Sequence, residues 1–454
     1  MSVRRLSEAD FGEKIQHFLR PSKPVVEPNM LRGREQQLAL IRQALYAEGR
    51  SVFIYGERGV GKSSLARIAA SQYRDGSSEF PYVLCEPNSS LESVLVALAR
   101  QVGLDGSEEQ KRTHRFTARL WKFVEYTQER SSTNPGEKLL SEPSLDSCVE
   151  LGQEIADALG QRAIAVVDEF DTISDLKERQ KFGELIKRLG DRDVNLKLIL
   201  SGIGSTLQDL LGGHPSSIRQ LHTVELDRLS WDARMEIIER AASGLGVEID
   251  RNLQIRIAAI SGGFPHYVHL VTEKLLWKMF GDAEEVSEAT VQHYRQALDD
   301  AVASVAPQLK EPYLRATQRS SEDYRDAIWA AADAYDLQRH TSRIFDSYLG
   351  ITESLGKTPL KRSKLLPILA KLKTEPYGAV LRSLPDRTGW YEFRENMLRG
   401  FVRLVAEHHG IELQDQSADI PKQLTARAPN IRPRQAYRAP FVPRVRFRGE
   451  PAEE

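Results

Sequence analysis

Residues 51–70 read SVFIYGERGVGKSSLARIAA. An apolar run from Ser51 to Tyr55 stops against three glycines in six positions, and a helix-forming segment starts at Lys62. Gly56-Glu57-Arg58-Gly59-Val60-Gly61-Lys62-Ser63 satisfies G-x-x-x-x-G-K-[ST] at every specified position. Glycines let the backbone curl so that successive N–H groups point inward, and the start of the helix adds partial positive charge. Such a turn, running on into Ser64, cradles phosphate oxygens. Lys62 brings a full charge toward the β and γ phosphates of a nucleoside triphosphate, and Ser63 offers a hydroxyl to Mg²⁺.

A cradle alone hydrolyses nothing. AIAVVDEFD, residues 163–171, ends a nearly continuous apolar strand in Asp168-Glu169. The first carboxylate there can hold the water shell of Mg²⁺, and the second can orient or deprotonate an attacking water. The plainer alternative is an acidic cap on the helix that follows. LKLILSGIGS, residues 196–205, repeats the strand form and brings Ser201 to the same sheet edge as Asp168. Its roles there are to fix the lytic water, to sense the γ phosphate, or only to satisfy the backbone. Arg219, in HPSSIRQLHTVEL, is a candidate to reach a neighbouring subunit's γ phosphate, or an ordinary surface arginine.

Working outward, the strands expected at Ser51–Tyr55, Tyr82–Cys85, Ala163–Val167, Leu196–Leu200 and Thr223–Leu226 alternate with helices. That pattern makes an α/β fold with a parallel sheet covered on both faces. Helices at Trp231–Ala242, Leu253–Ile260, Tyr267–Phe280 and Val286–Ala303 form a separate helical part. Next come further helices and AVLRSLPDRTGWYEF, residues 379–393, two apolar-alternating arms around a polar turn: a winged-helix-like arrangement. The expected division is residues 1–30 as helix and linker and 31–228 as core, with an insertion at about 104–143. A helix is expected in that insertion around Phe116–Thr127. A helical lid at 229–305, a winged-helix-like domain at 306–412 and a Pro- and Arg-rich tail at 413–454, expected to be disordered, complete the chain.

The chain has 454 residues, two of them cysteine, too few for a disulfide framework or a thiolate zinc cage. Cys85 and Cys148 read as buried small apolar residues. No run of eighteen apolar residues occurs, and the opening MSVRRLSEADFGEK is too polar for a secretory leader, so a cytoplasmic setting and no membrane partner are expected. The net charge of -1 is unevenly spread: residues 421–448 hold one Lys and seven Arg and no acid. The other 55 basic residues therefore face 64 acidic ones.

Together these residues resemble the AAA+ and STAND P-loop ATPases, and more closely the branch that links replication-initiator ATPases with prokaryotic STAND-like ATPases. MLRGREQQLALI (30–41) looks like that branch's opening motif, in which Gly33-Arg34 lies near the adenine. LDRLSWDARMEII (226–238) looks like the start of its lid, and SGGFPHYVHLV (261–271) like its glycine-x-proline segment. The resemblance implies a five-stranded sheet ordered 5-1-4-3-2, with ATP and Mg²⁺ bound between core and lid near Arg34, Pro265 and His266. His266 stands where many AAA+ lids place an arginine, which favours a slow nucleotide switch; it reads equally as a plain lid histidine.

Three functional readings stay open: a Mg-ATP-dependent switch that controls homo-oligomerisation through nucleotide-bridged interfaces or engagement of a partner or DNA, an ATP-licensed DNA-binding initiator or loader, and a regulatory ATPase subunit of a defence or mobile-element system that signals to a protein effector. DNA would meet Lys357, Lys361, Arg362, Lys364, Lys371, Lys373, Arg382 and Arg387 around the helix expected at Lys364–Leu372, with the basic tail. Asp346, Glu353, Glu375, Asp386 and Glu392 dilute that face.

Overall fold

A computed structural model describes residues 6–74, 79–103, 123, 143–204, 207, 219–282, 286–318 and 320–413. The chain divides into two compact units, 24–227 and 1–23 together with 228–454. The helix expected around Phe116–Thr127 and the tail from residue 414 lie outside the described residues. Phe123 is the exception, and it is buried in the core of the first of these units. Helix α1 (Glu8–Gln16), read as a leading element, belongs to the unit that contains the C-terminal helices.

The unit 24–227 is a five-stranded parallel sheet ordered β2-β3-β4-β1-β5, the order the resemblance implies. Its strands are β1 (Ser51–Tyr55), β2 (Tyr82–Leu84), β3 (Ile164–Asp168), β4 (Lys197–Gly202) and β5 (Leu221–Glu225). Helix α2 (Glu35–Tyr46) leads into β1, and helices α3 (Lys62–Tyr73), α4 (Leu91–Gln101), α5 (Leu145–Leu159) and α6 (Leu176–Asp191) lie between successive strands. The apolar runs of β1, β3 and β4 are buried on both faces, whereas β2 and β5, at the edges, are only partly so. Strand β5 begins two residues before the expected Thr223, because its pairing with β1 starts at Ser51 opposite Leu221 whatever the polarity of His222. Both cysteines are buried.

Register fixes what meets at the sheet's C-terminal edge. Leu84 is level with Asp168, Val167 with Leu200, and Ile54 with both Ser201 and Val224. Asp168, Ser201 and Ile54 therefore form one transverse row, a single residue before β1 ends and the glycine loop begins.

In the other unit, α7 (Trp231–Leu245), α8 (Arg251–Ser261), α9 (Pro265–Phe280) and α10 (Val291–Ser304) come first. Ser230, Asp250 and Thr290 cap three of them, and Pro265 fills the first position of α9. Helix α10 starts at Val291 rather than the expected Val286, because Thr290 and His293 close a capping box there. Then follow α11 (Pro307–Thr317), α12 (Glu322–Ala332), β6 (Arg339–His340), α13 (Thr341–Ser354), α14 (Arg362–Lys371), β7 (Leu381–Ser383), β8 (Trp390–Phe393) and α15 (Asn396–His408). The three short strands make an antiparallel sheet ordered β6-β8-β7. Helix α15 is buried from Leu398 to Glu407 and packs on α8, α10, α11 and α12. Arg403 crosses this packing to the carbonyls of Ala332 and Ala259, both at 2.9 Å.

Candidate nucleotide site

The glycine loop has the backbone its sequence demands. A Cβ added to Gly56 would lie 2.2 Å from the carbonyl oxygen of Leu226, where the chain leaving β5 crosses under the loop. Gly61 has φ +100° and is the cap residue of α3, a conformation L side chains rarely adopt. Being glycine, it supplies no side-chain cap, and the first turn of α3 carries no acidic residue. Helices α4, α5 and α7 close the same end with Ser90, Ser144 and Ser230, and α6 with Asp175. The first-turn N–H groups of α3 are thus left for an outside acceptor, which is the condition an anion-binding helix start must meet.

Lys62 folds back over the loop and donates to the carbonyls of Gly56 at 3.1 Å and Glu57 at 2.9 Å. Burial pulls its ammonium below the usual lysine range. Asp171 and Asp168, and more weakly Glu169, pull it back up, while Arg58 adds to the lowering. The loop and the acidic strand end therefore share one electrostatic neighbourhood, with α3 packed on β1, β3 and β4.

Asp168 closes β3 and is buried. Its Oδ1 accepts from the Glu169 amide at 2.9 Å and from the Ser201 hydroxyl; its Oδ2 accepts from the Tyr82 hydroxyl. Glu169 is half-buried and sits in the left-handed region, φ +52°. Its carbonyl takes the Thr172 amide at 2.9 Å and the Thr172 hydroxyl at 2.8 Å, and that hydroxyl also reaches the Cys85 carbonyl at 2.8 Å. A strand that ends in such a turn throws the second carboxylate off the strand axis. The Cys85 thiol is pushed up to about 12 by burial and then by Asp168, Asp171 and Glu169, and is inert as a nucleophile.

The remaining sequence candidates divide. Ser63 is half-buried at the start of α3. Ser64 is buried and its hydroxyl accepts the Val25 amide at 3.0 Å, so its side chain anchors the preceding strap. Arg34 is buried and donates to the carbonyls of Val60 at 3.2 Å and Asp227 at 2.6 Å, which makes it a brace on the loop itself. Burial lowers its pKa to about 10, against the pull of Asp227 and Glu35, and it stays a cation at neutral pH. Arg219 is exposed and precedes β5, at the sheet edge opposite this chain's own loop. Pro265 and His266 open α9 in the other unit, where His266 Nδ1 donates to the Pro21 carbonyl at 2.8 Å. Burial holds His266 below the ordinary histidine range, against the opposing pull of its hydrogen bond to Pro21.

Tyr82, Arg67, Asp171 and Thr172 are neighbours that sequence reasoning passed over. Only Asp171, inside AIAVVDEFD, carried a signal; Tyr82 sits on a three-residue edge strand with no motif around it. Among the described residues no group of three or more His, Cys, Asp or Glu could hold a metal. A cation here would rest on the Ser63 hydroxyl and Asp168 and take its other oxygens from phosphate, the habit of Mg²⁺. No described helix is long and apolar enough to cross a membrane.

Residues 46–211 match the family described as AAA domain. No curated protein matches the chain. Among solved structures it is similar to a Walker-type ATPase of Pyrococcus abyssi, at 17% identity and a TM-score of 0.45 over 84% of this chain and 99% of that one. It is also similar to Cdc6p of Pyrobaculum aerophilum, at 15% identity and 0.42 over 88% and 99%. The ORC2 protein of Aeropyrum pernix, in ADPNP–ADP complexes, matches at 17% and 0.44 over 84% and 95%. The unit 24–227 has the AAA+ type of P-loop fold.

Proposed function

We propose that this chain is an AAA+-like ATPase that binds ATP with Mg²⁺ and uses the bound state to set oligomerisation or engagement of a partner. The observation that carries the reading is the Lys62 ammonium, lodged on the glycine loop and drawn on by Asp171 and Asp168 across it. Lys62 and the uncapped turn of α3 bind and orient the triphosphate. Ser63 and Asp168 would hold Mg²⁺, which when bound neutralises phosphate charge. Glu169 orients or deprotonates the attacking water, and Ser201, fastened to Asp168, faces the γ phosphate. Arg219, exposed and beyond reach of its own cradle, is offered to a second copy's phosphate. A neutral His266 supports slow turnover.

Two substitutions test this. Lys62→Ala should abolish ATP binding in calorimetry. Glu169→Gln should keep ATP bound while hydrolysis falls by about a hundredfold or more. Turnover by Glu169→Gln at the parent rate would remove Glu169 from the role of base.

A second reading, an initiator or loader that meets DNA once ATP is bound, is favoured by the surface of α14 and the β7–β8 hairpin, which we read as a winged helix. Lys361, Arg362, Lys364, Lys371, Lys373 and Arg387 are exposed there. Two of the expected contacts are already in ion pairs, Lys357 with Asp326 at 2.8 Å and Glu322 at 2.7 Å and Arg382 with Glu392 at 2.6 Å, and Lys373 donates to Ser383 Oγ at 3.0 Å. The third reading, a regulatory subunit that passes its nucleotide state to a protein effector, has no structural observation of its own.

A further inference from the structure

Of the three donors on Asp168 among the described residues, the Tyr82 hydroxyl comes from an element outside every motif of the site. Tyr82 is nonetheless held from several sides. Its backbone N–H donates to Gln101 Oε1 at 2.8 Å, its carbonyl accepts from Gln101 Nε2 at 2.9 Å, and β2 pairs with β3 on the other edge. Over its ring lies the guanidinium of Arg67, 3.5 Å from the centroid. Arg67 is one helical turn beyond Ser63 on α3, so the two share a face of the helix that starts the cradle. Arg67 Nε is buried without a hydrogen-bond partner among the described residues, and the guanidinium is held by its stack on the ring together with its pull on the Tyr82 hydroxyl. A phenol is thereby clamped between the helix that bears Ser63 and the strand that ends in Asp168.

We propose that Tyr82 is a positioning residue for the metal-binding carboxylate: its hydroxyl fixes the rotation of Asp168, leaving the remaining lone pairs turned to the cradle. Phenylalanine would fill the same edge position and make the same stack on Arg67, so packing alone does not call for the hydroxyl. Donors to a ligating carboxylate orient it, and their loss lowers metal affinity while the primary ligands remain. The inference rests on the Mg-ATP reading of the site.

The test is a fluorescent-ATP titration of the full chain and of Tyr82→Phe, in EDTA and across a Mg²⁺ series. In EDTA the two should bind alike, within about twofold, whereas the Mg²⁺ midpoint of Tyr82→Phe should rise about tenfold. Arg67→Met keeps the phenol but frees the ring, and should raise the midpoint by a smaller factor. Thermal melts of both variants check that β2 stays in place. Equal Mg²⁺ midpoints for parent and Tyr82→Phe overturn the proposal, as does an equal loss in EDTA, which marks a general disturbance of the cradle. A parent protein whose ATP affinity ignores Mg²⁺ overturns the reading of the site, and this inference with it.

Discussion

His269 lies on α9 three residues after His266, and both rings face the segment that follows α1. Its Nδ1 accepts the Arg20 amide at 3.4 Å, and burial, then the neighbouring His266, lowers its pKa to about 4. The unfolded chain takes up the proton at the ordinary value near 6.5, the folded chain only near 4, so acid favours unfolding. The contribution is complete above about pH 6.5 and is lost as pH falls toward 4. Urea melts of the parent and His269→Gln should therefore converge or cross, the difference moving by about 2 kcal/mol in the variant's favour between pH 7 and pH 5. A pH-independent difference would show that His269 titrates normally in the fold. At this scale the glycine loop was legible letter by letter as a local pattern, although the space at Gly56 is set by the distant Leu226 carbonyl. The engagement of Arg34 with Val60 and of Ser64 with Val25 was not, since both depend on chain that folds back from before β1.

Elements were legible where one apolar period ran unbroken, as in β1, predicted and found at Ser51–Tyr55. They were less so where pairing or a cap outweighs hydrophobicity, as at the starts of β5 and α10. Helix α15 shows what periodicity alone leaves out: it is buried almost all round, and Gly400 is there because Tyr267 of α9 occupies the space of a side chain. A Cβ on Gly400 would fall 2.1 Å from the Tyr267 ring, whose hydroxyl donates to the Met397 carbonyl at 2.6 Å and holds the ring there. Replacing glycine by alanine in a helix normally stabilises by about 1 kcal/mol, but overpacking against a fixed ring costs about 3 kcal/mol or more, so the clash should win. Gly400→Ala is expected to lower stability by about 2 kcal/mol in chemical denaturation; a more stable variant would mean that Tyr267 moves freely.

At the scale of the whole molecule charge matters most, because a body with more acids than bases repels a phosphate backbone except where cations gather. If DNA is a ligand, the exposed cations in and around α14 and the hairpin and the eight in residues 421–448 carry the attraction. Changing those eight to glutamine should flatten the slope of log affinity against log salt, by at most about seven. A slope unmoved by that change takes the tail out of the interface, and an affinity indifferent to salt removes direct phosphate binding altogether. The position of the glycine loop, the acidic strand end and the alternation of strands with helices were all legible in the sequence alone, for they are short-range: neighbouring residues and strand or helix periods suffice to specify them. Only the tertiary structure decided that Ser201 and Tyr82 share the Asp168 carboxylate, that Arg34 braces the loop, and that His266 is held by Pro21. Each joins residues brought together by sheet register or by a returning chain, and no local pattern in a sequence records which distant partner a side chain will meet.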